Sequence, residues 1–125
     1  MTDNELIEKA FQAKANSYSP YSDFAVGAAL LAESGKVYLG TNVENSSYGA
    51  TICAERSAIC SAVSYGERKF LKIAVVSGNE LCPPCGICLQ VLSEFCDGDF
   101  VILQLDKGEI KSFTLKDFLP NAFKL

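Results

Sequence analysis

Three cysteines and one glutamate are the residues of this chain best equipped for chemistry: Cys53-Ala54-Glu55 in one segment, and Pro84-Cys85-Gly86-Ile87-Cys88 in another. Thiolates are soft ligands, and three of them satisfy three corners of a tetrahedral zinc while leaving the fourth to water. A metal held this way lowers the pKa of its water from about 15.7 toward about 7, which makes a nucleophile available at neutral pH. Glu55 lies two residues beyond the first ligand and is not needed by the metal, so it is free to carry protons. The spacing therefore predicts hydrolysis, with Cys53, Cys85 and Cys88 holding one zinc per subunit and Glu55 as the catalytic acid and base. Alone, Glu55 would read as a charge stabilising a helix N-terminus. Arg56 follows it, three residues after Cys53, and is expected to curl back and donate to the ligand sulfurs, offsetting the net negative charge of three thiolates on a dication. Otherwise it is an ordinary solvated arginine.

Cys82 opens a rival reading. Cys82, Cys85 and Cys88 are evenly spaced, and with Cys53 they could close a structural four-cysteine zinc site that binds metal without catalysis. Pro83-Pro84 is expected to turn Cys82 away, and a closed site would leave Glu55 without a role. An iron-sulfur cluster fits worse, since the run after Cys88 lacks the bacterial ferredoxin spacing. Cys60 is placed on the buried face of a helix and Cys96 near the end of another, both as packing residues.

The elements that must position these groups follow from periodicity. Leu6, Ile7, Ala10 and Phe11 recur at helical spacing between Asp3 and Tyr18, before Ser19-Pro20. Phe24 to Ala32 and Lys36 to Val43 read as a hairpin around Ser34-Gly35, with Asn42 and Glu44 at its end. Thr51 to about Tyr65 reads as a helix carrying Cys53 and Glu55 in its first turn, with Gly66 as its stop. Lys72 to Ser77 reads as a strand. Cys85 to Phe95 reads as a second helix with two ligands in its first turn, Phe100 to Leu105 and Glu109 to Thr114 as strands around Asp106-Lys107-Gly108, and Leu115 to Leu119 as a last short helix. Both ligand segments thus open helices, whose free N–H groups favour thiolates. Alternation of helices and strands predicts a layered α/β domain, and 125 residues with 49% hydrophobic side chains predict one domain spanning 1–125.

Composition narrows the function. The chain contains no histidine, so imidazole-dependent nucleophiles and His-ligated metals are excluded. A net charge of −4 with scattered Lys and Arg gives no basic face for a polynucleotide. The longest apolar run, Ala25 to Ala32, is too short to cross a bilayer, and the first residues carry no secretion signal, so no membrane partner and a cytoplasmic location are expected. Six cysteines in such a chain read as free thiols and ligands before disulfides.

With these residues in hand, the chain resembles the short, homotetrameric cytidine deaminases over nearly its whole length. The resemblance is carried by Pro20-Tyr21-Ser22, Phe24 with Val26-Gly27-Ala28-Ala29, Asn42-Val43-Glu44-Asn45, Cys53-Ala54-Glu55-Arg56, Pro84-Cys85-Gly86 with Cys88, and Leu119-Pro120 with Ala122-Phe123. It implies a three-layer α/β/α fold with a mixed five-stranded sheet, and zinc-dependent hydrolysis of free cytidine and 2′-deoxycytidine to uridine and 2′-deoxyuridine with release of ammonia. It further implies that Asn42 and Glu44 bind the ribose hydroxyls, that the Ala54 backbone contacts the base, and that Phe24 packs on the substrate. By residue type alone, Asn42 to Asn45 would be a turn-rich loop and Phe24 a core residue. Tyr48 would border the sugar, and Phe123 would stack on the base, each in a neighbouring subunit of a homotetramer. Leu89 departs from the family, which commonly has arginine there; its absence leaves Arg56 and the helix starts to offset the sulfur charge. A deaminase of another aminopyrimidine nucleoside, of the blasticidin type, and a noncatalytic four-cysteine module are the alternatives.

Overall fold

The computed structural model describes residues 1–125. Helix α1 spans Asp3–Lys14 and opens on Thr2, whose hydroxyl accepts the Glu5 amide at 3.1 Å, with Asp3 and Glu5 at the positive end of the helix dipole. It stops at Lys14, four residues before the boundary expected at Tyr18. The backbone of Tyr18 is committed elsewhere: its amide donates to the Asn42 carbonyl and its carbonyl accepts from the Glu44 amide, forming a bridge to Val43.

Strands β1 (Gly27–Ala32) and β2 (Val37–Thr41) form the predicted hairpin, shorter at both outer ends than periodicity suggested. Phe24 and Ala25 lie outside β1 because Asn42 engages the backbone there. After a 3-10 turn at Tyr48–Ala50 come helix α2 (Ala54–Ser64), strand β3 (Phe70–Val76), helix α3 (Gly86–Phe95), strands β4 (Val101–Asp106) and β5 (Glu109–Thr114), and helix α4 (Leu115–Phe118). Lys107 and Gly108, both at positive φ, make the tight β4–β5 turn.

The sheet order is β2-β1-β3-β4-β5, antiparallel except for the parallel pair β3–β4, so it is mixed and five-stranded as expected. Alternation along the strands sorts the core into two layers. Ala28, Leu30, Ala32, Ile73, Val75 and Ile102 pack under α2 and α3, whereas Ala29, Leu31, Ala74, Val76 and Leu103 pack under α1. Helices therefore cover both faces, in a three-layer α/β/α arrangement. No helix is long and apolar enough to cross a membrane.

Cys60 does not join this core. The buried face of α2 runs through Ala54, Glu55, Ala58, Ile59 and Ala62, and Cys60 falls out of phase and is exposed. Cys96 packs against the core as expected, and burial pushes its thiol up to about 12.

Close approach of α2 to the sheet depends on Gly40 in β2. A Cβ there would overlap the Ala54 carbonyl oxygen and the Ala58 amide, so only glycine lets the first turns of α2, and the catalytic segment with them, lie flat on β2.

Candidate metal centre

The two ligand segments meet at helix starts, but each helix begins after its first cysteine: α3 starts one residue later than the expected Cys85, and α2 three residues later than the expected Thr51. Cys53 is the residue capping α2 and Cys85 the one capping α3, both with extended backbones (φ −76°, ψ 157° and φ −72°, ψ 166°), so neither lies in a first turn. Only Cys88 does, and it is fully buried. An extended capping residue turns its side chain toward the free amides of its own helix. At Cys85 burial acts to raise the thiol pKa, but the Cys88 and Ile87 amides and the Cys88 and Cys53 side chains outweigh it and hold the group below its ordinary value.

The Cys53, Cys85 and Cys88 sulfurs lie within 4.8 Å of one another, and Cys53 Sγ is 3.7 Å from Cys85 Sγ. Thiolates about 2.3 Å from a tetrahedral zinc stand about 3.8 Å apart along each edge, so the sulfur triangle fits that metal. Burial first, then the nearby Glu55 and Cys53, pushes the Cys88 thiol far up, with Arg56 acting against the rise. Three sulfurs crowded beside a carboxylate call for a cation. All six cysteines are free, and Cys82 stands outside the triad.

Glu55, in the first turn of α2, is only 4% exposed, and this burial raises its pKa against the opposing pull of its own amide, the Cys88 thiol and Arg56. A carboxyl so placed holds a proton more readily than one in water, which suits a group that must accept and return one. Arg56 turns back as predicted: Nη2 donates to the Thr51 carbonyl at 3.0 Å and to Cys53 Sγ at 3.5 Å. Its Nε is buried without a partner, and a hydrogen bond to Cys53, opposed by burial and reinforced by Cys88, raises its pKa. Leu89, where the resemblance leads to an arginine, instead turns from α3 into the core it shares with α2.

A cleft of about 240 Å³ opens over these groups, and its walls include Phe24, Asn42, Glu44, Ala54 and Glu55. Paired hydrogen bonds between Val43 and Ile52 bring the Asn42–Glu44 segment alongside Cys53. The Asn42 amide is fixed by backbone groups of unambiguous polarity. Its Oδ1 accepts the Val26 amide at 2.9 Å and the Ser17 hydroxyl at 2.5 Å, and Nδ2 donates to the Phe24 carbonyl at 2.8 Å. Glu44 accepts the Tyr21 and Ser22 amides at 2.9 and 3.1 Å and the Ser22 hydroxyl; the hydroxyl bond, opposed by burial and aided by the amides, keeps its carboxyl below the usual range. Both residues thus shape the cleft wall as well as facing it. Phe24 is half exposed on that wall, not in the core.

Tyr48 lies outside the cleft, in an adjoining hollow of about 300 Å³ that shares Ser22, Glu44 and Thr51 with it, and packs edge-on against Tyr21 at 5.2 Å. Phe123 is not brought to the cleft of its own chain; its ring is 65% exposed and its carbonyl accepts from Gln90 at 2.7 Å. Ser17 and Gln104 escaped the sequence reading, and Ser22 entered it only within the Pro20-Tyr21-Ser22 match, with no role of its own. Serines in a polar loop carry no periodic signal, but Gln104 interrupts an apolar strand and is fully buried, a conflict of pattern that could have marked it.

Layered α/β architecture with three thiolate ligands and a buried, nonligating glutamate defines a catalytic zinc site of the deaminase type. Residues 1–104 match the sequence model of the cytidine and deoxycytidylate deaminase zinc-binding region. The chain is 50% identical to cytidine deaminase of Sporosarcina psychrophila over 95% of this chain and 89% of that one, and 44% identical to the Mycobacterium tuberculosis enzyme over 98% and 90%. Its fold superposes on the crystal structure of cytidine deaminase from Burkholderia pseudomallei with a TM-score of 0.93 at 43% identity, covering 98% of this chain and all of that one. The chain belongs to the cytidine and deoxycytidylate deaminase family.

Proposed function

We propose that this chain deaminates free cytidine and 2′-deoxycytidine, giving uridine, 2′-deoxyuridine and ammonia. The observation that carries this reading is the sulfur triangle of zinc dimensions beside a buried glutamate that is not one of its corners. Cys53, Cys85 and Cys88 would hold one zinc per subunit, which would supply the Lewis acidity that makes water nucleophilic at neutral pH. Glu55 takes a proton from the attacking water and passes it to the ring nitrogen next to C4, then takes the second proton, from the hydroxyl left on C4, and delivers it to the amine, so that C4 becomes a carbonyl and ammonia departs; burial keeps its affinity for a proton high. Arg56 draws charge from the sulfurs. Asn42 keeps one Nδ2 hydrogen, having used the other on Phe24, and Glu44 keeps acceptor capacity, so together they suit a hydroxyl that both accepts and donates, as on a ribose. The Ala54 backbone and the Phe24 ring face the same cleft and suit a flat base.

Exposed Tyr18, Tyr21, Tyr48 and Ile52 around the mouth, and the outward Phe123, support a homotetramer in which neighbours complete each cleft, with Tyr48 beside the sugar and Phe123 over the base. Two core layers sharing one sheet support a single domain over 1–125, and a site built from three reduced thiols suits the cytoplasm. Comparison of kcat/KM on cytidine, 2′-deoxycytidine and blasticidin S tests the assignment. The two nucleosides should exceed the drug by about 100-fold or more, since the drug lacks the hydroxyl pattern matched to Asn42 and Glu44. Preference for the drug would reassign the substrate.

A further inference from the structure

Cys82 poses a question that the catalytic reading leaves open. Four thiolates around zinc make a closed site, and Cys82 precedes Cys85 by the same interval that separates Cys85 from Cys88. It lines the same cleft as Cys53 and Cys85, yet it is not a corner of the sulfur triangle. Something must keep it out.

Pro83 and Pro84 stiffen the link to Cys85, but no hydrogen bond within this segment holds Cys82 in place. Residues 83 and 84 are prolines, which have no N–H to donate, and no backbone-to-backbone hydrogen bond involves residues 80 to 84. The main chain of Cys82 is held instead by one side chain. Gln104, in the middle of β4 and 0% exposed, accepts the Cys82 amide on Oε1 at 2.8 Å and donates from Nε2 to the Cys82 carbonyl at 2.5 Å. Both polar ends of a buried amide are thus used on one residue, in a strand whose neighbours Ile102 and Leu103 are core. A glutamine in such a place is costly unless both ends are paired, and the pairing fixes the Cys82 backbone on two sides.

We propose that Gln104 is a positioning residue that pins the Cys82 main chain so that its thiol cannot swing in as a fourth metal ligand, keeping one coordination corner available for catalysis. The proposal rests on the zinc-deaminase reading of the site. It makes Gln104 the difference between an open, catalytic site and a closed, structural one built from the same four cysteines.

The test is the Gln104→Leu variant, alone and with Cys82→Ser, each reconstituted with cobalt, whose sulfur-to-metal charge-transfer absorption scales with the number of bound thiolates. Wild type should show three. Gln104→Leu should gain about one-third in that absorption as Cys82 enters, with kcat/KM falling by about 100-fold or more because no corner is left for water. Adding Cys82→Ser should return the absorption to the wild-type level and recover at least about 10-fold in kcat/KM. If Gln104→Leu does not fold, Gln104→Asn, whose amide stops one methylene short of Cys82, is read in the same way. An unchanged three-thiolate spectrum on loss of the clasp, or activity that Cys82→Ser does not recover, overturns the proposal. Thiolate counting is independent of substrate, so a wild-type protein inactive on cytidine but showing the predicted change in count would sink the functional reading and leave the clasp standing.

Discussion

Replacing Arg56 by glutamine removes the one cation that touches the ligand sulfurs and leaves a shorter, neutral amide in its place. Nη2 bridges the Thr51 carbonyl at 3.0 Å and Cys53 Sγ at 3.5 Å, and Leu89, an uncharged side chain packed in the core, offers no second charge. A hydrogen bond to a charged partner contributes about 1.5–3 kcal/mol. The sulfur bond is long and the residue is half-buried, so the lower part of that range applies, about 1.5–2 kcal/mol, equivalent to a 13- to 30-fold fall in kcat/KM. The direction of the pH effect also follows. Without the cation, proton loss near the sulfurs becomes harder, so the acid limb of the rate profile should move to higher pH. Arg56→Lys, which retains charge but not the forked geometry, should fall between the two. The assay is initial rate from the ultraviolet change of cytidine across pH 5–9, with zinc content measured on the same samples. Activity of Arg56→Gln within about 3-fold of wild type, at full zinc occupancy, would refute the claim that this residue tunes the ligands.

Gly40→Ala should disable the enzyme from outside the cleft, since the new methyl pushes Ala54 and the start of α2 off the sheet; a stability loss of about 1–3 kcal/mol by denaturant unfolding is expected, with kcat falling more than KM changes. Phe123→Ala should raise KM about 2- to 12-fold, the worth of one aromatic stack, without changing kcat or the circular dichroism spectrum; equal KM values would remove the tail from the substrate site. Glu44 is held below the usual carboxylate range by Ser22, so its contribution to stability is intact above its unfolded pKa and is lost as pH falls through its lower folded value. Ser22→Ala should therefore move the Glu44 titration, followed by carbon NMR, to higher pH; an unmoved midpoint would contradict the hydrogen-bond assignment.

The strands were legible as short apolar runs closed by turn signals such as Ser34-Gly35 and Asp106-Lys107-Gly108, while the two-faced burial of β1, with no polar alternation in its sequence, emerges only in the fold. The ligand set was legible because thiol spacing reflects metal geometry, whatever surrounds it. Element ends were not, since Tyr18 leaves the helix for partners at Asn42 and Glu44 that only the tertiary fold supplies. Cys60 was misplaced because apolar residues cover several faces of α2 and the phase of burial is chosen by the sheet beneath it. The supporting polar contacts of Ser17, Ser22 and Gln104 join residues 22 to 25 positions apart, a separation at which no local pattern survives.

Glu55→Gln tests the central claim most directly, because it preserves the shape of a buried side chain and removes only its capacity to carry a proton. Purified wild type should hold about one zinc per chain and release ammonia from cytidine. The variant should keep that zinc and its fold while losing about 10²- to 10⁴-fold in kcat. A wild type without stoichiometric zinc, or a Glu55→Gln protein that deaminates cytidine at the wild-type rate, would contradict the account.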